Sequence, residues 1–323
     1  MKYVVLISRL LIGSYLIITG LVNANDLMGY SFRLISYYER LDLNFLVSTS
    51  VVQAGVFSLV AMTLGAMLIL GMKIRMTLLL IAFVFLLDFT LLFFASNQYA
   101  ESILHTHSKW INASICLVLL ILCIYLILKS AQIKTRLSST MQKVILTTFV
   151  LIVAIVPFYS YSFLPLVDFG NYRVGMDLKV ISEEENRSFK CFDMDGNNST
   201  KEVLEYRGNQ FFLVVEDIKS SNPKAFNNCN LLAAESEKQG IPFYGIASNN
   251  SSEIEDFRHE VQAAYPFLRC DRQVLRSMIR SNPGLILLDG STIVAKWHFN
   301  AVQSFSKVKK EFKLRSGGPS LIQ

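Results

Sequence analysis

Two units of different class are predicted by this sequence: an N-terminal all-α bundle of five membrane-spanning helices and a C-terminal α/β domain. Three observations predict them. Of the 323 residues, 52% are apolar and only 17% are charged, where a soluble domain of this length carries about 25% charged residues. Long, almost uncharged apolar stretches are confined to the first half. The charges are split: residues 1–165 hold 11 Lys/Arg and 5 Asp/Glu, whereas residues 166–323 hold 20 of each. The whole formal net charge of +6 therefore belongs to the apolar half. That argues against a nucleic-acid protein, whose basic excess should mark a face of its soluble domain, and it points to membrane topology. The units read as a bundle over 1–165, a linker over 166–185, an α/β domain over 186–315 and a tail over 316–323.

Five stretches approach or exceed the roughly 18 residues that a helix needs to cross the hydrocarbon core. They are Tyr3–Val22, Val47–Leu70, Met76–Ala95, Trp110–Leu128 and Val144–Tyr161, the last interrupted by Pro157. A cleaved signal peptide ending near Val22-Asn23-Ala24 is the competing reading of the first stretch; its length and Arg9 speak against it. Lys2, Arg9, Lys73, Arg75, Lys129, Lys134, Arg136 and Lys143 lie on alternate connections, so all belong to one side, the cytoplasm, by the positive-inside rule. The opposite connections, 23–46 and 96–109, mix both signs. Five crossings from a cytoplasmic N-terminus put the C-terminal half outside. In a bacterium that is the periplasm, with the bundle in the inner membrane.

Asp88 is the one acidic residue inside a predicted span. A carboxylate at mid-bilayer costs roughly 2.5–3.5 kcal/mol on insertion scales, so Asp88 is either a hydrogen-bonded structural element or a proton or ligand site. At the same depth the neighbouring spans offer Ser14 or Tyr15, Ser58, and Ser114 or Cys116. Arg9 is too near the inner face to meet it. His105 and His107 in the outer connection lack a third ligand nearby and read as a solvated loop.

In the outer half, Ser188–Asp193, Val203–Tyr206, Gln210–Glu216 and Ile241–Ala247 read as strands. Asp195-Gly196 is a turn signal, and Leu285–Leu288, Asp289-Gly290 and Thr292–His298 form a hairpin. Lys224–Gln239, Ser252–Gln262, Val274–Arg280 and Val302–Leu314 read as helices, with Gly240 closing the first and Ser251 or Ser252 capping the second. No Gly-rich phosphate loop, metal-ligand set or defensible catalytic triad is present. No catalytic residue, cofactor or metal is expected, and His298 has no evident acid partner.

The segment Ser8-Arg9-Leu10-Leu11-Ile12-Gly13 with Thr19-Gly20-Leu21-Val22 and Asn25-Asp26 resembles the opening of DoxX-type membrane proteins, a group that includes MauE. Leu64–Gly71 and Phe163–Phe169 are similar as well, the latter to Bacteroidetes members with a periplasmic tail. MauE-like members carry a Cys-x-Cys between spans three and four, and this chain has no Cys from Asn97 to Lys109. The outer half resembles a thioredoxin-like domain of the TlpA branch. The carrying residues are Phe192-x-Met194-Asp195-Gly196, Tyr206-x-Gly208 and above all Ser281-Asn282-Pro283-Gly284 before Leu285–Gly290, with Pro283 in the cis-proline position. Thioredoxin chemistry needs two cysteines, two residues apart, at a helix start, where one attacks and the other resolves. Here Asp217–Asn228 contains none, and only Cys229 is near the place. Cys191, Cys229 and Cys270 allow at most one internal disulfide and a leftover thiol.

The resemblances imply a bilayer-embedded protein whose thioredoxin-like domain is non-catalytic and serves binding or assembly of another envelope protein or membrane-complex subunit. Pro283 would mark the binding loop. The alternatives are a membrane thiol or quinone oxidoreductase accessory of the DoxX/MauE type, and a small-solute permease using Asp88.

Overall fold

A computed structural model describes residues 2–94, 109–133, 137–183 and 189–316. The chain divides into two compact units, Met1–Tyr161 and Ser162–Gln323.

The first unit is helical: α1 (Lys2–Asn25), α2 (Leu27–Arg40), α3 (Ser50–Leu70) after a 3-10 turn at Asn44–Thr49, α4 (Ile74–Phe94), α5 (Lys109–Leu128), α6 (Ser139–Val153) and α7 (Ile155–Ser162). Four stretches are long and apolar enough to cross a membrane: Tyr3–Asn25, Asn44–Leu70, Trp110–Leu128 and Ser139–Ser162. The remaining predicted span coincides with α4. These helices are apolar on every side, so burial selects only one stripe of each. Ile12, Leu16, Leu68, Leu78, Ile81, Phe85 and Leu126 pack inward, while Val52, Phe83, Ile121 and Leu151 stand exposed. A monomeric soluble protein rarely leaves so broad an apolar surface open.

Glycine sets the approach of α1 to α3. A Cβ on Gly65 would lie 2.5 Å from the Gly13 carbonyl oxygen, and one on Gly20 would lie 2.7 Å from that of Ser58. Small residues at such crossings let helix backbones touch.

Two features of this unit differ from the sequence reading. Residues 23–46, expected as a connection, contain α2, which begins where the Asp26 side chain accepts from the Gly29 N–H. Its Leu27, Leu34 and Tyr38 are buried against Ala54 of α3. The final apolar stretch breaks at Ala154 rather than at Pro157. A proline ring collides with the carbonyl four residues earlier, here that of Val153, so the helix ends there and restarts.

The second unit carries a six-stranded mixed sheet of β1 (Cys191–Phe192), β2 (Asn209–Val215), β3 (Phe243–Ala247), β4 (Phe267–Cys270), β5 (Gly284–Asp289) and β6 (Thr292–His298), in the order β1-β4-β3-β2-β5-β6. Strands β2, β3 and β4 are parallel; β5 is antiparallel to β2, β6 is antiparallel to β5, and β1 is antiparallel to β4. The helices are α8 (Leu178–Glu183), α9 (Thr200–Glu205), α10 (Phe226–Lys238), α11 (Ser251–Glu260), α12 (Arg272–Met278) and α13 (Phe305–Phe312). All seven residues of β2 are buried, because both sheet faces are covered, as the continuous apolar run of a central strand requires. Phe211, Leu213, Phe226 and Phe267 fill one face; Phe189, Phe212, Val214 and Leu268 fill the other.

Several boundaries are corrected. Of Val203–Tyr206, expected as a strand, Val203–Glu205 close α9 and Tyr206 is its C-cap; Val203 and Leu204 are buried. Strand β4 was not legible because its four residues interrupt no clear alternation. The cap of α11 is Asn250, accepting from the Glu253 N–H at 2.8 Å, not Ser251 or Ser252. Part of the expected linker 166–185 is built into the domain: Tyr172, Leu178 and Ile181 are buried in its core. The Gly175 N–H donates to the Ile293 carbonyl at 2.8 Å, the Ile293 N–H to that of Met176 and the Leu178 N–H to that of Ser291. These bonds satisfy the outer side of edge strand β6, which would otherwise offer open backbone groups. Lys296 Nζ, almost enclosed, donates to Asp168 Oδ2 at 2.6 Å and the Tyr172 carbonyl at 3.1 Å.

Candidate functional site

The C-terminal end of β2 and the turn before β5 meet at the position where the resemblance predicts chemistry. After β2 the chain descends through Glu216 and Asp217 into two 3-10 turns, Ile218–Ser220 and Pro223–Ala225, before α10. Short polar side chains dictate this path. Asp217 accepts from the Lys219 N–H, Asn222 from the Lys224 N–H, and Asn249 from the Ile218 N–H. Glu216, only 12% exposed at its side chain, receives Arg272 Nε at 2.7 Å and Arg276 Nε at 2.8 Å, and Arg272 Nη2 reaches Asp217 Oδ2 at 3.1 Å. One end of the loop is thus fastened by charge-assisted bonds from α12, roughly twice as strong as neutral ones.

The Asn282–Pro283 peptide is cis, as the thioredoxin-like resemblance implies. Pro283 itself is buried. Asn282 Nδ2 donates to the Asp217 carbonyl at 2.8 Å and to Ser220 Oγ at 3.1 Å. The Asn222 N–H in turn donates to the Asn282 carbonyl at 3.3 Å. The backbone acceptor that an extended partner would use beside the proline loop is therefore already engaged by the protein's own loop.

Cys229 lies in the first turn of α10 and is fully buried among the Phe226 and Leu232 side chains. Burial pushes its thiol up to about 12, the opposite of what a nucleophilic cysteine requires. Cys191 and Cys270 lie in the other core layer, away from Cys229. The structure thus does not bring the three outer cysteines together. His298 is buried at the end of β6; its Nδ1 accepts from the Asn300 N–H at 3.2 Å, and its ring stacks near Phe299 with centroids 4.2 Å apart. Desolvation holds its pKa down, at about 4. It is a neutral capping group. Among the described residues no cluster of three His, Cys, Asp or Glu could hold a metal.

In the first unit, Asp88 on α4 is crowded by neighbouring atoms yet keeps an open side. The charge that acts on it is Arg33 of α2, and Tyr15, Tyr30, Tyr37 and Cys116 all lie within its field. Tyr15 and Cys116 are the two residues of the expected depth layer that feel the Asp88 charge. Ser58 and Ser114 instead donate to the carbonyls of Ala54 and Trp110 in their own helices. Arg9 donates to the Ile69 carbonyl at 2.9 Å. Arg33 escapes sequence reasoning because it lies in a segment expected as a connection of mixed charge. Its guanidinium donates to Asn23 Oδ1 at 2.7 Å and sits 5.0 Å from the centroid of the Tyr30 ring. A partner for a buried acid is best sought as an Arg on an amphipathic helix, and the apolar spacing of Leu27, Leu34 and Tyr38 is the signal that such a helix exists. His105 and His107 lie outside the described residues.

No protein-family model matches the chain, and no curated protein matches it; the DoxX/MauE likeness stays a resemblance. Solved structures do match. One is an uncharacterized conserved protein from Geobacillus kaustophilus, with 16% identity and a TM-score of 0.30, covering 39% of this chain and 68% of that one. Another is a putative protein disulfide isomerase from Bacteroides thetaiotaomicron, with 11% identity and a TM-score of 0.33, covering 46% of this chain and 92% of that one.

Proposed function

We propose that this is a multi-pass membrane protein whose thioredoxin-like domain has no thiol turnover and acts as a binding or assembly factor for other envelope proteins. The observation that carries the reading is the loop after β2. It contains no thiol, it is fastened by Glu216, Asp217, Asn222 and Asn282, and the nearest cysteine, Cys229, is buried with a thiol that resists ionisation. A domain that keeps the fold and fills the reactive position with a static network is suited to recognition rather than exchange. Because Asn222 occupies the Asn282 carbonyl, a partner docks on the outside of this clasp or opens it.

The membrane half is proposed to cross five times, α4 included, with the N-terminus in the cytoplasm and the α/β domain in the periplasm of a bacterial inner membrane. The Lys/Arg of alternate connections support that orientation. The Asp88–Arg33–tyrosine cluster favours a second reading, a membrane thiol or quinone oxidoreductase accessory, in which Asp88 carries a proton.

The test uses full-length protein purified from membranes in mild detergent, as wild type and as Cys229→Ala. Under the proposal neither form reduces insulin above the buffer rate, both carry the same copurifying proteins, and neither carries a quinone. Insulin reduction that depends on Cys229, or a stoichiometric quinone, would replace the binding reading with the oxidoreductase one.

A further inference from the structure

Cys191 and Cys270 face each other across the β1–β4 pair. Their Cα atoms are register partners in an antiparallel ladder, and both side chains project into the same core layer with Leu268 and Phe189. Antiparallel partners come in two kinds. In one, the residues exchange both backbone bonds; in the other they exchange none, and the side chains stand closer, with Cα atoms about 4.5 Å apart.

The backbone of Cys191 decides which kind this is. Its N–H donates to Thr200 Oγ1 at 2.9 Å and its carbonyl accepts from the Ser199 N–H at 3.0 Å. Both groups therefore point away from β4, toward the turn that follows β1. On the other strand, the Gly245 N–H of β3 bonds to the Pro266 carbonyl. Backbone groups alternate sides along a strand, so those of residues 266, 268 and 270 face β3. Phe192 with Arg269 is then the bonded pair, and Cys191 with Cys270 is the non-bonded one. That separation falls in the range of about 4.4–6.8 Å between Cα atoms that a disulfide spans without backbone movement.

Both are free thiols in the structure; we infer that on oxidation Cys191 and Cys270 form a cross-strand disulfide that fastens the N-terminal strand β1 to the sheet, leaving Cys229 as the free thiol of the α/β domain. The chemistry is two successive exchanges with a disulfide oxidant, a protein dithiol oxidase in a cell or a small disulfide in a tube. One protein thiolate attacks the oxidant's S–S bond, forming a mixed disulfide and expelling a thiolate. The second protein thiolate attacks the protein-side sulfur of that mixed disulfide and expels the other. Two protein thiols are oxidised, one oxidant disulfide is reduced to two thiols, and the two protons pass from the protein thiols to the leaving groups.

Both thiols are enclosed, Cys191 fully and Cys270 at 6% exposure, and burial raises both above the ordinary thiol range. The exchange therefore belongs to folding, or to moments when the two-residue strand β1 lifts from the edge. This inference concerns the β1 edge alone and stands whether or not the loop after β2 binds a partner.

The experiment uses the full-length protein in detergent, fully reduced, then incubated with oxidised glutathione in mild urea and returned to buffer. Free thiols are blocked with N-ethylmaleimide under denaturing conditions. The sample is digested without reductant and mapped by mass. The expected result is a linked peptide pair containing Cys191 and Cys270, two hydrogens lighter than the reduced pair, with Cys229 carrying maleimide. Cys270→Ala should convert Cys191 from the linked form to a glutathione adduct or a maleimide adduct. The inference is overturned if Cys191 and Cys270 both carry maleimide in the wild type. Separate glutathione adducts on the two, or a linked pair containing Cys229, overturn it equally.

Discussion

The Asn222 N–H donates to the Asn282 carbonyl across 3.3 Å, joining the loop after β2 to the proline loop before β5. The Asn282 side chain returns the link by donating to Asp217 and Ser220. Here each side closes the other, and the two asparagines explain why a loop without cysteines is nevertheless ordered.

That clasp predicts a local response. Asn282→Ala deletes two side-chain bonds, each worth about 0.5–1.5 kcal/mol net, without removing apolar packing. The Asn222 amide is the reporter, because its acceptor is the carbonyl of the altered residue. Its hydrogen exchange should quicken about tenfold, corresponding to roughly 1.4 kcal/mol, while the amides of β2 and β3 keep their wild-type rates. Uniform acceleration across the sheet would mean that Asn282 supports the whole domain and that no separable clasp exists.

His298 predicts an acid response with a definite sign. Its Nδ1 accepts a backbone bond and so must be unprotonated, and desolvation lowers its folded pKa to about 4 from about 6.5 in the unfolded chain. Between those values the unfolded state binds a proton that the folded state refuses. Stability contributed by the neutral ring is complete above about pH 6.5 and falls by about 1.4 kcal/mol per pH unit as the pH drops toward 4. Asn at this position can still accept the capping bond. His298→Asn should therefore flatten the pH dependence of the urea midpoint between pH 7 and pH 5, followed by Trp297 fluorescence. An unchanged slope in that variant would assign the acid sensitivity to other groups.

The membrane unit offers a steric test. Gly65 and Gly55 lie on the same helix, but a Cβ on Gly65 meets the Gly13 carbonyl oxygen at 2.5 Å, whereas one on Gly55 meets nothing nearer than 3.8 Å. Backbone cannot swing aside as a flexible side chain can, so Gly65→Ala forces α1 from α3. Overpacking of this kind costs about 1–3 kcal/mol. Gly65→Ala should lower the melting temperature in detergent and the amount recovered from membranes, and Gly55→Ala should do neither. Equal tolerance of both would remove the close α1–α3 crossing.

How far these relationships could be read in advance depends on the length scale that carries them. The long apolar stretches, the buried β2 run and the Asp289-Gly290 turn are local signals, and the corresponding elements are present; the cis Pro283 was implied by the family resemblance. The sequence around α9 does not reveal a helix, because Val203 and Tyr206 are good strand formers and only the packing of Val203 and Leu204 under the sheet selects it. Residues 170–178 carry no periodicity; they are ordered by the open edge of β6, a partner far along the chain. The Asn222–Asn282 clasp and the Cys191–Cys270 register depend in the same way on strand order. For the membrane site, Asp88 was visible as a lone charge in an apolar stretch, but its counter-charge was not, because Arg33 became meaningful only once residues 27–40 were a helix packed on α3.

Arg33 and Asp88 supply the last prediction. Arg33 is held by Asn23 and by the face of Tyr30, and it is the cation whose field reaches Asp88. Inside a membrane unit, a charge left without an opposite charge nearby is costlier than two neutral groups. Arg33→Gln should therefore lower the abundance of assembled protein in membranes more than Asp88→Asn does, since Asn can still bond across helices at a cost of about 1–2 kcal/mol or less. Adding Asp88→Asn to Arg33→Gln should restore abundance toward wild type. The same variants separate the two functional readings. If Asp88 holds the bundle together, the assembled Asn variant keeps its copurifying partners; if Asp88 carries a proton, that variant is assembled and inactive. Failure of the double variant to recover, with Arg33→Gln already impaired, would show that Arg33 acts through Asn23 and Tyr30 alone.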